Sequence, residues 1–276
     1  MCAVMNVSRS AFYEWLKRPL TRKEQEDREL SGKIKQLFFN SRCTYGHRRI
    51  KKELRKNGIK CSNDRIRRLM KKMHLIPVQT RKFKATTDSN HSLPVAPNLL
   101  KKDFTADKPL QRWVGDISYI ATEEGWLYLA AIIDLYSRKV VGWALGARMT
   151  KQLVIEAMNQ ALRLERPPEG LIFHSDRGSQ YASYDYQDLL REHGIRQSMG
   201  AKGDCYDNAC AESFFATLKK ELIHRRRFKT RSWAKIVIIE YILWYNSERI
   251  HSYLDDMSPL KYEQKYYNSM RLPAAC

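Results

Sequence analysis

The apolar positions of this chain follow two different periods. Up to about residue 74 they recur at three- and four-residue steps, the spacing of one helical face. A helix is predicted over Val7–Leu16, entered through Ser8 or Ser10 and stopped by Pro19. Residues 22–40 read as a charged helix with Leu30, Ile34 and Leu37 on one face. Two short basic helices follow, Gly46–Lys56 and Asp64–Met73, the second capped by Ser62 or Asn63. The turn between them is N-G-I-K-C, and helix, Gly-containing turn and helix give the outline of a helix-turn-helix near 46–74. Residues 78–108 have no clear period and carry Ser, Thr, Asn, Pro and Lys, which predicts a linker, partly ordered on DNA.

From residue 111 the spacing is that of strands: Trp113–Ile120, Trp126–Asp134 and Arg138–Leu145, the last two joined by a turn at Leu135–Ser137. A helix at 151–164, a strand at Leu171–His174, a helix at Tyr184–His193, a strand at Ile195–Met199 and a helix at 208–223 come next. An aromatic-rich helix, Trp233–Trp244, and a short helix opened by Ser258-Pro259 end the pattern. Trp233, Trp244 and Tyr245 read as core. Three antiparallel strands followed by alternating helices and strands predict an α/β fold and are compatible with a mixed sheet.

Charge sharpens this division. The 276 residues carry a formal net charge of +20. Residues 1–102 hold 26 Lys and Arg against 8 Asp and Glu, so nearly all of the excess lies in the helical part. A basic arm on a near-neutral globular part predicts a phosphate-rich partner, because each neutralised phosphate releases counterions. Arg65, Arg67, Arg68, Lys71 and Lys72 surround the apolar stripe Ile66, Leu69, Met70 and Met73, which makes them candidate DNA contacts. The six cysteines show no C-x-x-C pair, and Cys43, His47 and Cys61 lack a fourth zinc ligand at finger spacing. They read as reduced thiols. Met1–Leu20 is charged and interrupted, and Ile236–Tyr245 is too short to span a bilayer and contains Glu240. These features predict a cytoplasmic protein with no membrane partner.

Three carboxylates carry the candidate chemistry. Asp116 lies in W-V-G-D-I-S-Y-I, inside an apolar strand where an acid needs a partner. Asp176 follows the strand in L-I-F-H-S-D-R-G-S-Q-Y, at a strand end where α/β sheets display functional groups. Glu212 lies in D-N-A-C-A-E-S-F-F-A-T-L-K, on a helix whose buried stripe would be Phe215, Leu218 and Leu222. Acids converging from two strands and a helix suit hard divalent cations such as Mg²⁺. His174 and Ser175 stand beside Asp176, either orienting its carboxylate or simply ending the strand. Arg177, Gly178 and Gln180 form the loop beyond it, with Gly178 expected to permit a tight backbone turn. Asn208 reads as a helix cap or a DNA contact, Asp134 as a structural turn residue, and Arg225, Arg226 and Arg227 as general phosphate contacts. Lys219, seven residues after Glu212, falls on the same helical face and is a candidate phosphate ligand.

Fifty-nine residues lie between Asp116 and Asp176 and thirty-five between Asp176 and Glu212. With the flanking motifs, this resembles a DDE transposase, and more narrowly the second-frame product (OrfB) of the IS-three family of bacterial insertion sequences, whose core is akin to retroviral integrases. The resemblance covers nearly the whole chain. It takes in V-S-R-S-A-F-Y-E-W-L near the start, Y-G-H-R-R-I at 45–50, I-D-L-Y-S-R-K-V-V-G-W at 133–143 and Y-N-S-E-R-I-H-S-Y-L at 245–254. The stretch at 198–208 departs from the family pattern, with Asp204 where Asn is expected.

The resemblance implies a ribonuclease H-like mixed-sheet catalytic core behind an N-terminal all-α, helix-turn-helix-like basic region. The expected divisions are a helical DNA-binding region at 1–77, the linker at 78–108, an integrase-like core at 109–223 and a helical extension at 224–276. It implies metal-dependent 3′-end cleavage and strand transfer, with two Mg²⁺ ions, replaceable by Mn²⁺, held by Asp116, Asp176 and Glu212. The implied partners are terminal inverted repeats, target DNA, further copies of the chain in a homo-oligomer, and a partner reading-frame product (OrfA) or frameshift fusion. The implied setting is the bacterial nucleoid. Two other readings stay open: a ribonuclease H-like nuclease, and a catalytically silent DNA-binding regulator.

Overall fold

The computed structural model describes residues 7–77, 94–101, 103–200 and 209–271, together with Cys2. The chain divides into two compact units, Met1–Val78 and Gln79–Cys276.

The first unit is helical. α1 (Arg9–Lys17) opens where the Ser8 hydroxyl accepts the Ala11 N–H at 3.1 Å. α2 (Arg22–Asn40) starts with a capping box in which Thr21 and Glu24 satisfy each other's backbone N–H groups. α3 (His47–Lys56) and α4 (Asn63–Lys72) follow, α4 capped by Ser62, whose hydroxyl accepts the Arg65 N–H at 3.2 Å. The buried stripe of α2 is Leu30, Ile34 and Phe38. Phe38 takes the place expected for Leu37 because a strict four-residue step keeps the stripe over α3 and α4. There it meets Ile50, Leu54, Ile66, Leu69 and Met70.

The second unit is built on a mixed sheet. β1 (Arg112–Thr122), β2 (Gly125–Asp134) and β3 (Val140–Gly146) pair antiparallel, while β4 (Ile172–Ser175) and β5 (Arg196–Met199) continue the sheet in parallel on the other side of β1. The order is β3-β2-β1-β4-β5. α5 (Lys151–Glu165) connects β3 to β4, and α6 (Tyr184–Glu192) connects β4 to β5. α7 (Ala209–Glu221), α8 (Arg231–Ser247) and α9 (Pro259–Arg271) complete the unit. α9 is longer than the short helix expected after Ser258.

Both faces of the sheet are covered, which is why β2 is apolar at consecutive positions rather than alternating. On one face Val114, Leu129, Ala131 and Ile133 meet Phe214, Leu218, Ile238 and Tyr241 from α7 and α8. On the other, Trp113, Ala130 and Ile132 meet Val154, Met158 and Tyr186 from α5 and α6. The outer strand β3 is met by side chains: the Asn246 amide both accepts the Val140 N–H and donates to the Val140 carbonyl, each at 2.9 Å, and Gln160 accepts the Trp143 N–H at 2.6 Å. Trp233 is 40% exposed, against the expectation that it belongs to the core, and lies against Phe228 with ring centroids 5.2 Å apart.

Of the span read as a linker, residues 78–93 and Lys102 lie outside the described residues. Leu100 is buried among the sheet-and-α7 residues, the Leu99 N–H donates to Ser198 Oγ at 2.8 Å, and Arg112 pairs with the Asp103 carboxylate at 2.7 Å. Asp134 is fully buried and structural. Its carboxylate accepts the N–H groups of Tyr136, Ser137 and Leu110 and the Ser137 hydroxyl, all within 3.0 Å, and so organises the β2–β3 turn.

One buried ion pair ties α7 to the chain after α8. Arg249 donates to both carboxylate oxygens of Glu221, at 2.8 and 2.9 Å, and the Tyr241 hydroxyl donates to the same carboxylate at 2.7 Å. Both ionic side chains are 6% exposed. Removing one partner strands a buried charge, whereas removing both does not. Arg249→Met is expected to lower unfolding free energy by about 3–5 kcal/mol, read by urea denaturation. Adding Glu221→Met is expected to recover most of that loss.

Candidate catalytic site

β1 delivers Asp116 from the middle of the sheet, opposite Ala131 of β2. It shares the strand face of Val114 and Ile120, two and four residues away, which face the α7 layer. The preceding residue is Gly115, and a Cβ there would collide with the Phe173 ring and come within 3.4 Å of the Tyr181 hydroxyl. That glycine lets two aromatic rings close under the site. Sequence reading did not single it out, although it stands in the quoted motif.

Asp176 lies one residue past β4, the strand that runs parallel beside β1. Its carboxylate accepts the Gly178 N–H at 2.9 Å, and the Ser175 hydroxyl donates to its main-chain carbonyl at 2.9 Å. Gly178 has no positive φ. The reason for glycine is proximity: a Cβ would stand 3.0 Å from both the Asp176 carboxylate and the Gln180 side-chain oxygen. Arg177 donates to the Gly200 carbonyl at 2.7 Å and Gln180 to the Met149 carbonyl at 3.2 Å, which fix the loop. His174 is buried, and its Nδ1 meets Ser198 Oγ at 2.8 Å, linking β4 to β5.

Glu212 sits in the first turn of α7, where the helix dipole favours a negative charge, and α7 packs on β1 and β2. Asn208 lies outside the described residues. Lys219, two turns further along α7, is 7% exposed, with Nζ 4.8 Å from the centroid of the Tyr119 ring. Burial pulls its pKa down, while Tyr119 and Asp116 push it up. Lys219 is therefore an inward cation at the acid cluster and not one of the solvated lysines of the surface.

The electrostatics join the three acids. Asp116 is pushed up to about 8, first by burial, then by repulsion from Asp176 and Glu212, against an opposing hydrogen bond from the Ile117 N–H and the attraction of Lys219. Glu212 is raised by burial. Tyr181, fully buried, feels both Asp116 and Asp176. Among the described residues, no three His, Cys, Asp or Glu side chains are grouped closely enough to enclose an ion as they stand. The donor set nonetheless fits a hard cation: all three groups are carboxylates, and their mutual repulsion is what a positive charge would relieve.

In the helical unit, Arg65 donates to Asp27 at 2.7 Å and reaches Glu26 at 3.4 Å, and Arg68 donates to Asp27 at 2.6 Å. These two candidate DNA contacts thus brace α4 against α2. Arg67 pairs with Asp64 within its own helix at 2.7 Å, while Lys71 and Lys72 are exposed.

A mixed sheet in this order, with acids supplied by β1, the end of β4 and a helix on one face, defines a protein of the ribonuclease H-like integrase class. Comparison with known proteins agrees. Two integrase core domain profiles match residues 106–205 and 212–267, and an HTH-like domain profile matches residues 24–83. A simian T-cell lymphotropic virus intasome solved with a PP2A regulatory subunit shares the fold, with a TM-score of 0.51 at 16% identity over 82% of this chain and 73% of that one. An insertion element IS600 protein of 31 kDa from Shigella sonnei is 50% identical over 97% of this chain and 98% of its own length. Transposase InsF for insertion sequence IS3A of Escherichia coli K12 is 42% identical over 96% of this chain and 93% of its own length. The chain belongs to the IS3 family of insertion-sequence transposases. The alternative readings, a ribonuclease H-like nuclease and a catalytically silent DNA-binding regulator, are not favoured. Among the described residues no helix is long and apolar enough to cross a membrane.

The Asp116 shift has a thermodynamic consequence. Its folded pKa of about 8 lies above the ordinary value of 3.8, so ionising it costs the folded state. That cost is absent below the ordinary value, grows as pH rises through the interval, and is complete above about 8. In chelator, Asp116→Asn is expected to raise Tm by a few degrees at neutral pH, with the gain shrinking toward zero as pH falls to about 4. Thermal melts across that range check it.

Proposed function

We propose that Asp116, Asp176 and Glu212 are the catalytic and metal-holding residues of this transposase, acting with Mg²⁺, two ions at a time and with Mn²⁺ as a substitute. The reading is carried by placement: Asp116 on β1, Asp176 just past the parallel neighbour β4, and Glu212 in the first turn of α7, which packs on β1. When bound, such a pair of cations supplies activation of an attacking oxygen and stabilisation of a leaving one at phosphorus.

The chain's own residues do the rest. The three carboxylates hold positive charge where the scissile phosphate enters. Lys219 neutralises a non-bridging oxygen of that phosphate, and the Ser175–Gly178 loop holds Asp176 still. In the first reaction, water attacks the phosphodiester at the element's end and the 3′ oxygen leaves as a free hydroxyl. In the second, that hydroxyl attacks another phosphodiester in line, forming one P–O bond as another breaks. No protein nucleophile enters either step. The substrates are the terminal inverted repeats and target DNA, held in part by the basic helical unit, where Arg67, Lys71 and Lys72 face solvent while Arg65 and Arg68 stiffen their helix. The working form is a homo-oligomer, joined by the partner reading-frame product or carrying it as a frameshift fusion.

Strand joining on labelled element ends in Mg²⁺ tests this. Asp116→Asn, Asp176→Asn and Glu212→Gln are each expected to lose joining on the order of a thousandfold, with end binding in a gel shift largely retained. Near-normal joining by any one of them would remove that residue from the site. Lys219→Ala is expected to reduce joining roughly 10- to 100-fold, the loss of one charge-assisted phosphate contact, with metal dependence unchanged. Lys220→Ala is expected to have little effect, and equal effects from the two would refute the role given to Lys219.

A further inference from the structure

Next to Lys219 the sheet exposes two large rings. Tyr119 on β1 is 38% exposed and Trp126 on β2 is 50% exposed. Their register is diagonal, since Tyr119 faces Tyr128 and Trp126 faces Ala121, and the rings meet edge to face with centroids 5.0 Å apart. Lys219 Nζ stands over the Tyr119 ring, so the pair is continuous with the acid site through one cation.

A basic strip is fastened beside these rings. In the segment after α7, Arg225, Arg226, Arg227 and Lys229 are exposed while Phe228 is buried. Phe228 forms a parallel bridge with Thr122, and its carbonyl accepts the Glu123 N–H at 2.9 Å. Arg231 donates through Nε to the Trp126 carbonyl at 3.0 Å, and its own N–H donates to Glu124 at 2.8 Å. Two carboxylates, Glu123 and Glu124, stand at the hairpin turn against the five Lys and Arg of residues 225–231. The strip therefore stays positive, and the buried Phe228 holds it against the hairpin.

Exposed rings next to a cationic strip match the way single-stranded nucleic acid is held, with bases stacking on aromatic faces and the backbone tracking positive charge. Paired bases inside a duplex have no free face to offer. Unpaired bases at a strand terminus do, and a terminus is what a site that cuts element ends presents. We propose that Tyr119 and Trp126, with the strip Arg226–Lys229, form a binding site for unpaired nucleotides next to the scissile phosphate. This rests on the acid-site reading above and deepens it, giving that site a preference for frayed or single-stranded ends.

The test uses the full chain, in Ca²⁺ so that binding is read without chemistry. The probes are a duplex with a short unpaired 3′ tail carrying a terminal 5-iodouracil, and the same duplex with a blunt end. Ultraviolet crosslinking followed by peptide mapping is expected to place the tail on the peptides holding Tyr119 or Trp126. Trp126→Ala is expected to weaken the preference for the tailed over the blunt duplex about tenfold, with Trp126→Phe restoring most of it. Crosslinks confined to other peptides would overturn the proposal. So would a Trp126→Ala variant that keeps the full preference, or one that keeps the crosslink pattern while dissociating an oligomer, which would make the rings a protein contact. The crosslink on the unsubstituted chain needs no variant to fold. If Glu212→Gln loses joining while the tail crosslinks elsewhere, the platform fails and the acid site stands. If joining survives Glu212→Gln, the acid-site reading fails by itself.

Discussion

A buried carboxylate on the central strand, Asp116, disfavoured first by burial and then by two further acids, is the constraint that the surrounding packing has to support. Three acids with one sign of charge do not stay together by their own attraction, so each has to be held by an element whose position is fixed for other reasons. β1 is locked by neighbours on both sides and by apolar layers on both faces. Asp176 is held by the backbone of its own loop. Glu212 is carried by α7, whose stripe is buried in the sheet and whose far end is clamped by Arg249 through Glu221. The electrostatic cost at Asp116 is thus supported by apolar burial elsewhere.

The clamp also clarifies the tail of the chain. The motif Y-N-S-E-R-I-H-S-Y-L supplies Tyr245 to the core, Asn246 to the outer strand and Arg249 to Glu221. The conspicuous residues of that segment therefore serve the position of α7 and the sheet. The same economy holds in the helical unit, where two arginines that look like DNA contacts in the sequence are bonded to Asp27.

Much of this was legible beforehand, for definite reasons. Strands buried on both faces leave continuous apolar runs, and helices with one buried face leave a three-to-four period, so the order of elements could be read directly. Asp116 stood out because a carboxylate is rare inside such a run, and Asp176 and Glu212 through their spacing and flanking motifs. What could not be read were effects that depend on contacts distant in sequence. Gly115 serves Phe173, 58 positions away, whose approach no local pattern reveals. The platform of Tyr119 and Trp126 joins residues on adjacent strands, and the burial of Lys219 depends on a ring from β1. Leu37 and Phe38 differ by one position on a helix whose partner was unknown, and Trp233 shows that aromatic content alone does not make a residue core.

The side chains that meet β3 have an architectural effect. An outer strand normally offers its N–H and carbonyl groups to any strand that drifts alongside, and sheets can fuse across such borders. Here Asn246 satisfies both main-chain groups of Val140, and Gln160 takes the N–H of Trp143. A second copy of the chain cannot dock by continuing the ladder at these positions without first displacing those amides. Pairing of copies edge to edge is thereby opposed along this stretch of β3, and the two amides act as a lateral stop built from helix residues.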